Sequence, residues 1–272
     1  MDALFEAIVG KVRKERTIIA ALLFGSRARR QVTPSSDIDF QILSSRPKAL
    51  DDSRWFACDN LFDVILISNR RATGGAVKIT VLYSCGLVDI VLPRYVEMIV
   101  AKLLVGMRVY RQWGGVYDRL RALAVIIRPG FDVVKGGPSW ARFYNQVAQD
   151  VLPARLDNSQ VEEIAKRCYL DAYWAYRKAK DGELLAAQRW LHRVPFEANV
   201  DLFNELRLRR GLQPCYDARR SEMQLTLKEQ ELIRIEAALD SESLCHASVL
   251  VVENMRKLVK MLTGEEPVWP KF

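Results

Sequence analysis

Asp37 and Asp39 flank a single apolar residue, Ile38, at the start of the apolar run Ile38–Leu43. On an extended chain successive side chains point to opposite faces, so both carboxylates share one face and Ile38 takes the other. Two carboxylates side by side repel each other, and a divalent cation between them removes the repulsion. Their hard oxygens suit Mg²⁺, an ion that commonly keeps substrate phosphates among its ligands. Upstream, the apolar run Ile18–Phe24 ends in Gly25-Ser26, with Arg27, Arg29 and Arg30 just beyond. Glycine permits a sharp turn and the close approach of a phosphate. Backbone N–H groups and the Ser26 hydroxyl can then donate to its oxygens, and the three arginines can neutralise a triphosphate. These residue types therefore point to the handling of a phosphorylated, metal-bound substrate. The alternative, a solvated surface turn, leaves the paired acids and the Gly-Ser-Arg turn without a reason.

Strands must position this chemistry. Ile18–Phe24 and Ile38–Leu43 are short, apolar and bounded by breaks, which predicts two buried strands joined by the arginine-rich loop. Before them, Leu4, Phe5, Ile8, Val9 and Val12 recur at helical spacing over residues 2–16. Lys11, Arg13, Lys14 and Arg16 lie near the C-terminus of that helix, where its dipole favours base. Ser44-Ser45-Arg46-Pro47 breaks the second strand, and Trp55 and Phe56 mark a short helix within residues 48–60. Phe62–Ile67 reads as a strand and Asn69–Gly75 as a polar turn. Val77–Tyr83 and Leu87–Leu92 form a hairpin around Cys85-Gly86. Its second arm carries Asp89 between Val88 and Ile90, which places a third acid on the face opposite its apolar neighbours. Asp63, at the start of the preceding strand, competes for that role.

Residues 95–109 read as helix, and Gly114-Gly115, Arg128-Pro129-Gly130 and Lys135-Gly136-Gly137-Pro138 interrupt the pattern that follows. The last of these is the expected domain boundary, dividing 1–137 from 138–272. From Ser139 onwards strand-like runs disappear. Helices are expected over 161–180, with Ile164, Tyr169, Ala172, Tyr173 and Tyr176 near one stripe, and over 183–209 with a bend at Pro195. Two more are expected over 221–239 and 241–263, with Gly182 and Gly264 as stops. The fold class is α+β, a mixed-sheet domain followed by an all-α bundle.

Of 272 residues half are hydrophobic, ample for a core. No run of about 18 apolar residues is present to span a membrane. The N-terminus carries acid where a secretory signal would carry base. Cysteines 58, 85, 168, 215 and 245 are scattered and free of Cys-x-x-Cys spacing, which argues against a disulfide framework or a zinc site and fits a reducing cytoplasm. His192 and His246, far apart in helical stretches, read as surface or packing residues. The net charge of +8 is uneven: residues 1–136 hold 21 Lys+Arg against 13 Asp+Glu, and the remainder holds 20 against 20. The basic excess belongs to the half with the phosphate motif, where it can serve a nucleotide, pyrophosphate or nucleic acid.

Gly25-Ser26, a spacer, then Asp37-Ile38-Asp39 resembles the signature of the polymerase-beta-like nucleotidyltransferase superfamily. Within it the chain looks like the antibiotic nucleotidyltransferases of the lincosamide and aminoglycoside 6-adenylyl types. That closer likeness rests on Asp52-Ser53-Arg54-Trp55, the hairpin with Asp89, and the helix–turn–helix around Trp174, Tyr176 and Asp181-Gly182-Glu183-Leu184. The resemblance implies a third carboxylate on a later strand facing the pair, which Asp89 matches. It also implies Mg²⁺ and in-line attack by an acceptor hydroxyl on the alpha-phosphate of a nucleoside triphosphate. A nucleoside monophosphate, commonly AMP from ATP, is transferred and pyrophosphate leaves. Asp37 and Asp39 would hold the ion; Asp89 would share a second ion or take the hydroxyl's proton directly. Gly25, Ser26, Arg27, Arg29 and Arg30 would hold the triphosphate. Tyr169, Tyr173 and Tyr176 of the helical, acceptor-binding half would stack on acceptor or base, or serve only as core. The implied acceptor is a small hydroxylated molecule such as an antibiotic. Polycationic aminoglycosides favour acid-rich pockets, so the charge split here suits a lincosamide or another weakly charged acceptor better. Transfer to RNA is the rival reading, favoured by the basic N-terminal half and unsupported by any RNA-binding motif. A nucleotide-binding module without activity is disfavoured by the presence of all three acids. Monomer and homodimer both remain open.

Overall fold

A computed structural model describes residues 2–33, 36–50, 53–56, 62–72, 75–215 and 221–270. Asp52 and Cys58, singled out above, lie outside the described residues. The chain divides into two compact units, Met1–Ala154 and Arg155–Phe272.

The first unit runs α1 (Asp2–Lys14), β1 (Ile18–Phe24), α2 (Gly25–Ala28), β2 (Ile38–Ser44), α3 (Ser53–Phe56), β3 (Val64–Arg71), β4 (Val77–Tyr83) and β5 (Gly86–Leu92). It then continues through α4 (Tyr95–Gly106), α5 (Gly114–Ile127), β6 (Asp132–Lys135) and α6 (Gly137–Asp150). The six strands form one sheet in the order β3-β4-β5-β2-β1-β6. β2 and β5 pair parallel, and the other neighbours pair antiparallel. Strand alternation sends Ile38, Phe40, Ile42, Val88 and Ile90 to one face, where Leu4, Ile8 and Val12 of α1 complete a core. The opposite face buries Ala20, Leu22 and Leu43 against Met98 and Leu104 of α4, Leu120 and Ala124 of α5, and Trp140, Phe143 and Tyr144 of α6. Ile8 is fully buried, and cutting such a side chain to alanine costs about 2–5 kcal/mol.

Three features of the sheet and of the expected domain boundary differ from the sequence reading. β3 continues through Asn69–Arg71, expected as turn, because those residues pair with Ile79, Lys78 and Val77; an edge strand tolerates polar side chains facing water. The short strand β6, not expected, pairs with β1 at the other edge. Gly136-Gly137-Pro138 does not separate the units. It opens α6, with proline in the first turn, where the missing N–H is harmless. A Cβ on Gly136 would lie 3.0 Å from Trp140 and 3.1 Å from Ala20, so the chain passes too close to the sheet there for a side chain.

Among the described residues the second unit is all helical: α7 (Asn158–Lys180), α8 (Leu184–Arg209), the short α9 (Ser221–Gln224) and α10 (Leu227–Glu231), and α11 (Ser241–Thr263). Asp157 and Gln160 form a capping box at the start of α7, and Gly264 in the left-handed region ends α11. α8 runs through Pro195 as one helix. Where one helix was expected over 221–239, Thr226 and Glu229 form a second capping box that starts α10 afresh. Among the described residues no helix is long and apolar enough to cross a membrane.

Candidate active site

The site forms where β1 ends. Gly25 has φ +79°, and a Cβ built on it would meet Asp39 Oδ2 at 2.2 Å. Only glycine fits, because the backbone turns in the left-handed region and at the same point packs against the carboxylate. Phe24 is the register partner of Asp39, so the end of β1 delivers Gly25-Ser26 beside the acids. Residues 25–28, expected as loop, close into the single turn α2. Ser26 Oγ is buried and has no hydrogen-bond partner among the described residues.

The acids converge by register. Asp39 on β2 lies directly beside Asp89 on the parallel strand β5, with 6% and 4% of their surfaces exposed. Asp37 joins them from the residue before β2. One oxygen from each of the three lies within 4.8 Å of the others. An ion ligated at about 2.1 Å spreads opposite ligands to about 4.2 Å, so a small contraction of this triangle suffices. Asp63 is exposed and precedes β3 at the far edge of the sheet; it is not in the cluster.

β4 supplies two partners that the sequence reading missed. Thr80 Oγ1 donates to Asp89 Oδ1 at 2.6 Å, and Lys78 Nζ pairs with Asp89 Oδ2. Lys78 is thus the basic residue facing Asp89, while Arg94 bonds Glu97. The available signal was a lysine and a threonine at alternate positions of the apolar strand Val-Lys-Ile-Thr-Val. Two buried acids in register demand positive charge. Lys78 provides one, and the donor set of three carboxylates fits a divalent ion as the rest.

The arginines divide. Arg27 Nη1 donates to Asp2 Oδ1 at 3.0 Å, and its guanidinium lies 5.0 Å from the Phe5 ring, so it anchors α1. Arg29 packs by Gly130. Arg30 is exposed, at φ +56°. Gly25 and Ser26 therefore come to the carboxylates, whereas Arg27 is turned to the helix beneath. In the second unit, Tyr169 and Tyr176 pack against the helical core. Tyr169 also lies 5.3 Å from the Trp269 ring.

Residues 6–69 match the family model described as Polymerase beta, Nucleotidyltransferase. That span holds Gly25-Ser26 and the Asp37–Asp39 pair; Asp89 lies beyond it. Over residues 6–69 the chain is therefore similar to the polymerase-beta nucleotidyltransferases, which supports nucleotidyl transfer as its reaction class. Among solved structures, an aminoglycoside 6-adenyltransferase from Bacillus subtilis is similar at 10% identity, covering 98% of this chain and 92% of that one with a TM-score of 0.38. No curated protein matches the chain in sequence.

Proposed function

We propose that this enzyme transfers a nucleoside monophosphate, AMP from ATP, to a hydroxyl of a small, weakly charged molecule, with a lincosamide-type antibiotic as the leading candidate. The observation that carries this reading is the cluster of Asp37, Asp39 and Asp89, with acceptor oxygens within 4.8 Å of one another and the Gly25 backbone packed on one of them. The three aspartates would hold Mg²⁺, which supplies charge neutralisation at the triphosphate. Ser26, with its unpartnered buried hydroxyl, donates to the departing phosphates, helped by Gly25 N–H and by Arg29 and Arg30. The acceptor oxygen bonds to the alpha-phosphorus, the bond to the pyrophosphate oxygen breaks, and pyrophosphate leaves with the electron pair. Asp89 takes the hydroxyl proton. The helical half supplies part of the acceptor recognition.

The test incubates the full chain with ATP and Mg²⁺ against lincosamides, aminoglycosides and labelled tRNA. A mass gain of one AMP on a small acceptor, with equimolar pyrophosphate, is the expected result. Label appearing on tRNA alone would replace this reading with RNA modification.

A further inference from the structure

The sheet face that carries the carboxylates continues past them into a cavity of about 330 Å³ within the first unit. Its floor is Phe24, Gln41 and Val91, and its walls include Met98 and Leu123 from α4 and α5. Gln41 stands two residues beyond Asp39 on β2, and its register partner Val91 two beyond Asp89 on β5. Both therefore share the acids' face, about 7 Å further along the strands. Gln41 is 6% exposed. Its Oε1 is buried and has no hydrogen-bond partner among the described residues. A buried acceptor left without a donor is destabilising, so its place on the floor of a cavity points to a ligand that donates to it. Arg71, Arg94 and Arg119 line the cavity with one acid, Glu97, which both Arg94 and Arg119 already pair. Such a surround repels a polycation.

Direction selects the occupant. β1 runs antiparallel to β2, pairing Leu22 with Gln41 and Phe24 with Asp39, so Gly25-Ser26 lies past the acids on the side away from Gln41. In-line displacement places the attacking and leaving oxygens on opposite sides of phosphorus. With pyrophosphate departing toward Ser26, the attacking molecule enters from the Gln41 side. We infer that this cavity is the acceptor's apolar subsite: it takes an uncharged apolar arm carrying one N–H or O–H for Gln41 Oε1, and it leaves the reacting hydroxyl at the carboxylates. This rests on the transfer reading above and adds the acceptor's chemical character.

The test uses the full chain saturated with Mg²⁺ and a non-hydrolysable ATP analogue. Calorimetry measures binding of methyl to hexyl glucosides and of 6-hydroxyhexyl glucoside. Wild type should gain about fourfold in affinity per added methylene. Ala122→Trp, which fills the cavity from α5, should flatten that dependence and leave affinity for the ATP analogue within about twofold of wild type, since the nucleotide is held elsewhere. Gln41→Leu should keep or raise the melting temperature, bind alkyl probes at least as well, and lose about tenfold for the hydroxyhexyl probe, as expected for one hydrogen bond. Equal chain-length dependence in wild type and Ala122→Trp, or none in wild type, overturns the subsite. Loss of analogue affinity in Ala122→Trp also overturns it and assigns the cavity to the nucleobase. Failure of wild type to bind the analogue at all is a separate result that removes the transfer reading and the subsite together.

Discussion

Gly25 shows how narrow the tolerance at this site is. Its left-handed backbone alone makes a side chain cost about 1–2 kcal/mol, and the 2.2 Å approach to Asp39 Oδ2 adds a direct collision with a proposed ion ligand. Gly25→Ala should lose a few degrees of melting temperature and nearly all transfer. A variant keeping wild-type turnover would show that Asp39 need not hold its position. Asp37→Asn and Asp39→Asn remove like-charge repulsion, so each should hold or raise the melting temperature without Mg²⁺ while abolishing transfer. Near-normal turnover with Mg²⁺ would defeat the ion assignment. Asp89 is subtler because Lys78 already pairs with it, the lysine side chain being 20% exposed. Lys78→Met strands a buried carboxylate and should cost about 3 kcal/mol. Added Mg²⁺ should restore more stability to that variant than to wild type, because the ion takes over the missing charge. An equal Mg²⁺ response in both would separate Asp89 from the ion site. The acids and the Gly-Ser turn were legible because spacing along a strand fixes the face a side chain takes. Lys78, Thr80 and Gln41 were not, because their roles depend on which strands become neighbours, a long-range fact absent from local pattern.

The helices of the second unit teach a related lesson. The buried stripe of α7 is Val161, Ala165, Cys168, Ala172, Ala175 and Ala179; of the residues expected on it, Ile164, Tyr169, Ala172, Tyr173 and Tyr176, Ala172 belongs to it, and the bulkier Ile164, Tyr169 and Tyr176 are only partly buried. Alanine carries a weak hydrophobic signal, yet a small side chain lets helices approach closely, so the true stripe hid behind its larger neighbours. On α8 one buried acid organises the unit's start. Glu205, 3% exposed, accepts from Arg155 Nε at 3.1 Å, Leu156 N–H at 3.0 Å and Arg209 Nε at 3.0 Å. Burial alone would raise its pKa, but these donors outweigh it and hold the carboxyl below its ordinary value. A lowered acid pKa stabilises the fold above the unfolded value of about 4.3, and this stability is lost as pH falls through the folded value. Calorimetry of the second unit should therefore show a melting temperature that falls steeply below about pH 4. Glu205→Gln should cost about 1.5–3 kcal/mol at neutral pH and flatten that acid limb. Parallel pH curves for the two proteins would assign the acid transition to other groups.

At the scale of the whole chain, charge and fold divide together. Met1–Ala154 holds 22 Lys+Arg against 14 Asp+Glu and the remainder 19 against 19, so the entire excess sits with the carboxylate site. The α+β plan and that asymmetry could be read from composition and periodicity. The place of α6 could not, because Gly136-Gly137-Pro138 looks like a linker until the core it leads into is known. Trp140, Phe143, Tyr144 and Val147 are each at most 4% exposed in the first unit. At about 1.5–3 kcal/mol per buried side chain, the four together rival the 5–15 kcal/mol that holds a typical domain. A chain ended after Gly137 should therefore lack a cooperative melt, whereas one ended after Ala154 should melt as a single unit. The longer fragment should also bind Mg²⁺ and nucleotide, with an affinity that falls as salt screens its basic surface. It should fail to transfer, because part of the acceptor recognition is proposed for the helical unit. Cooperative melting of the fragment ended at Gly137 would remove α6 from the core, and full transfer by the fragment ended at Ala154 would remove the helical unit from the reaction.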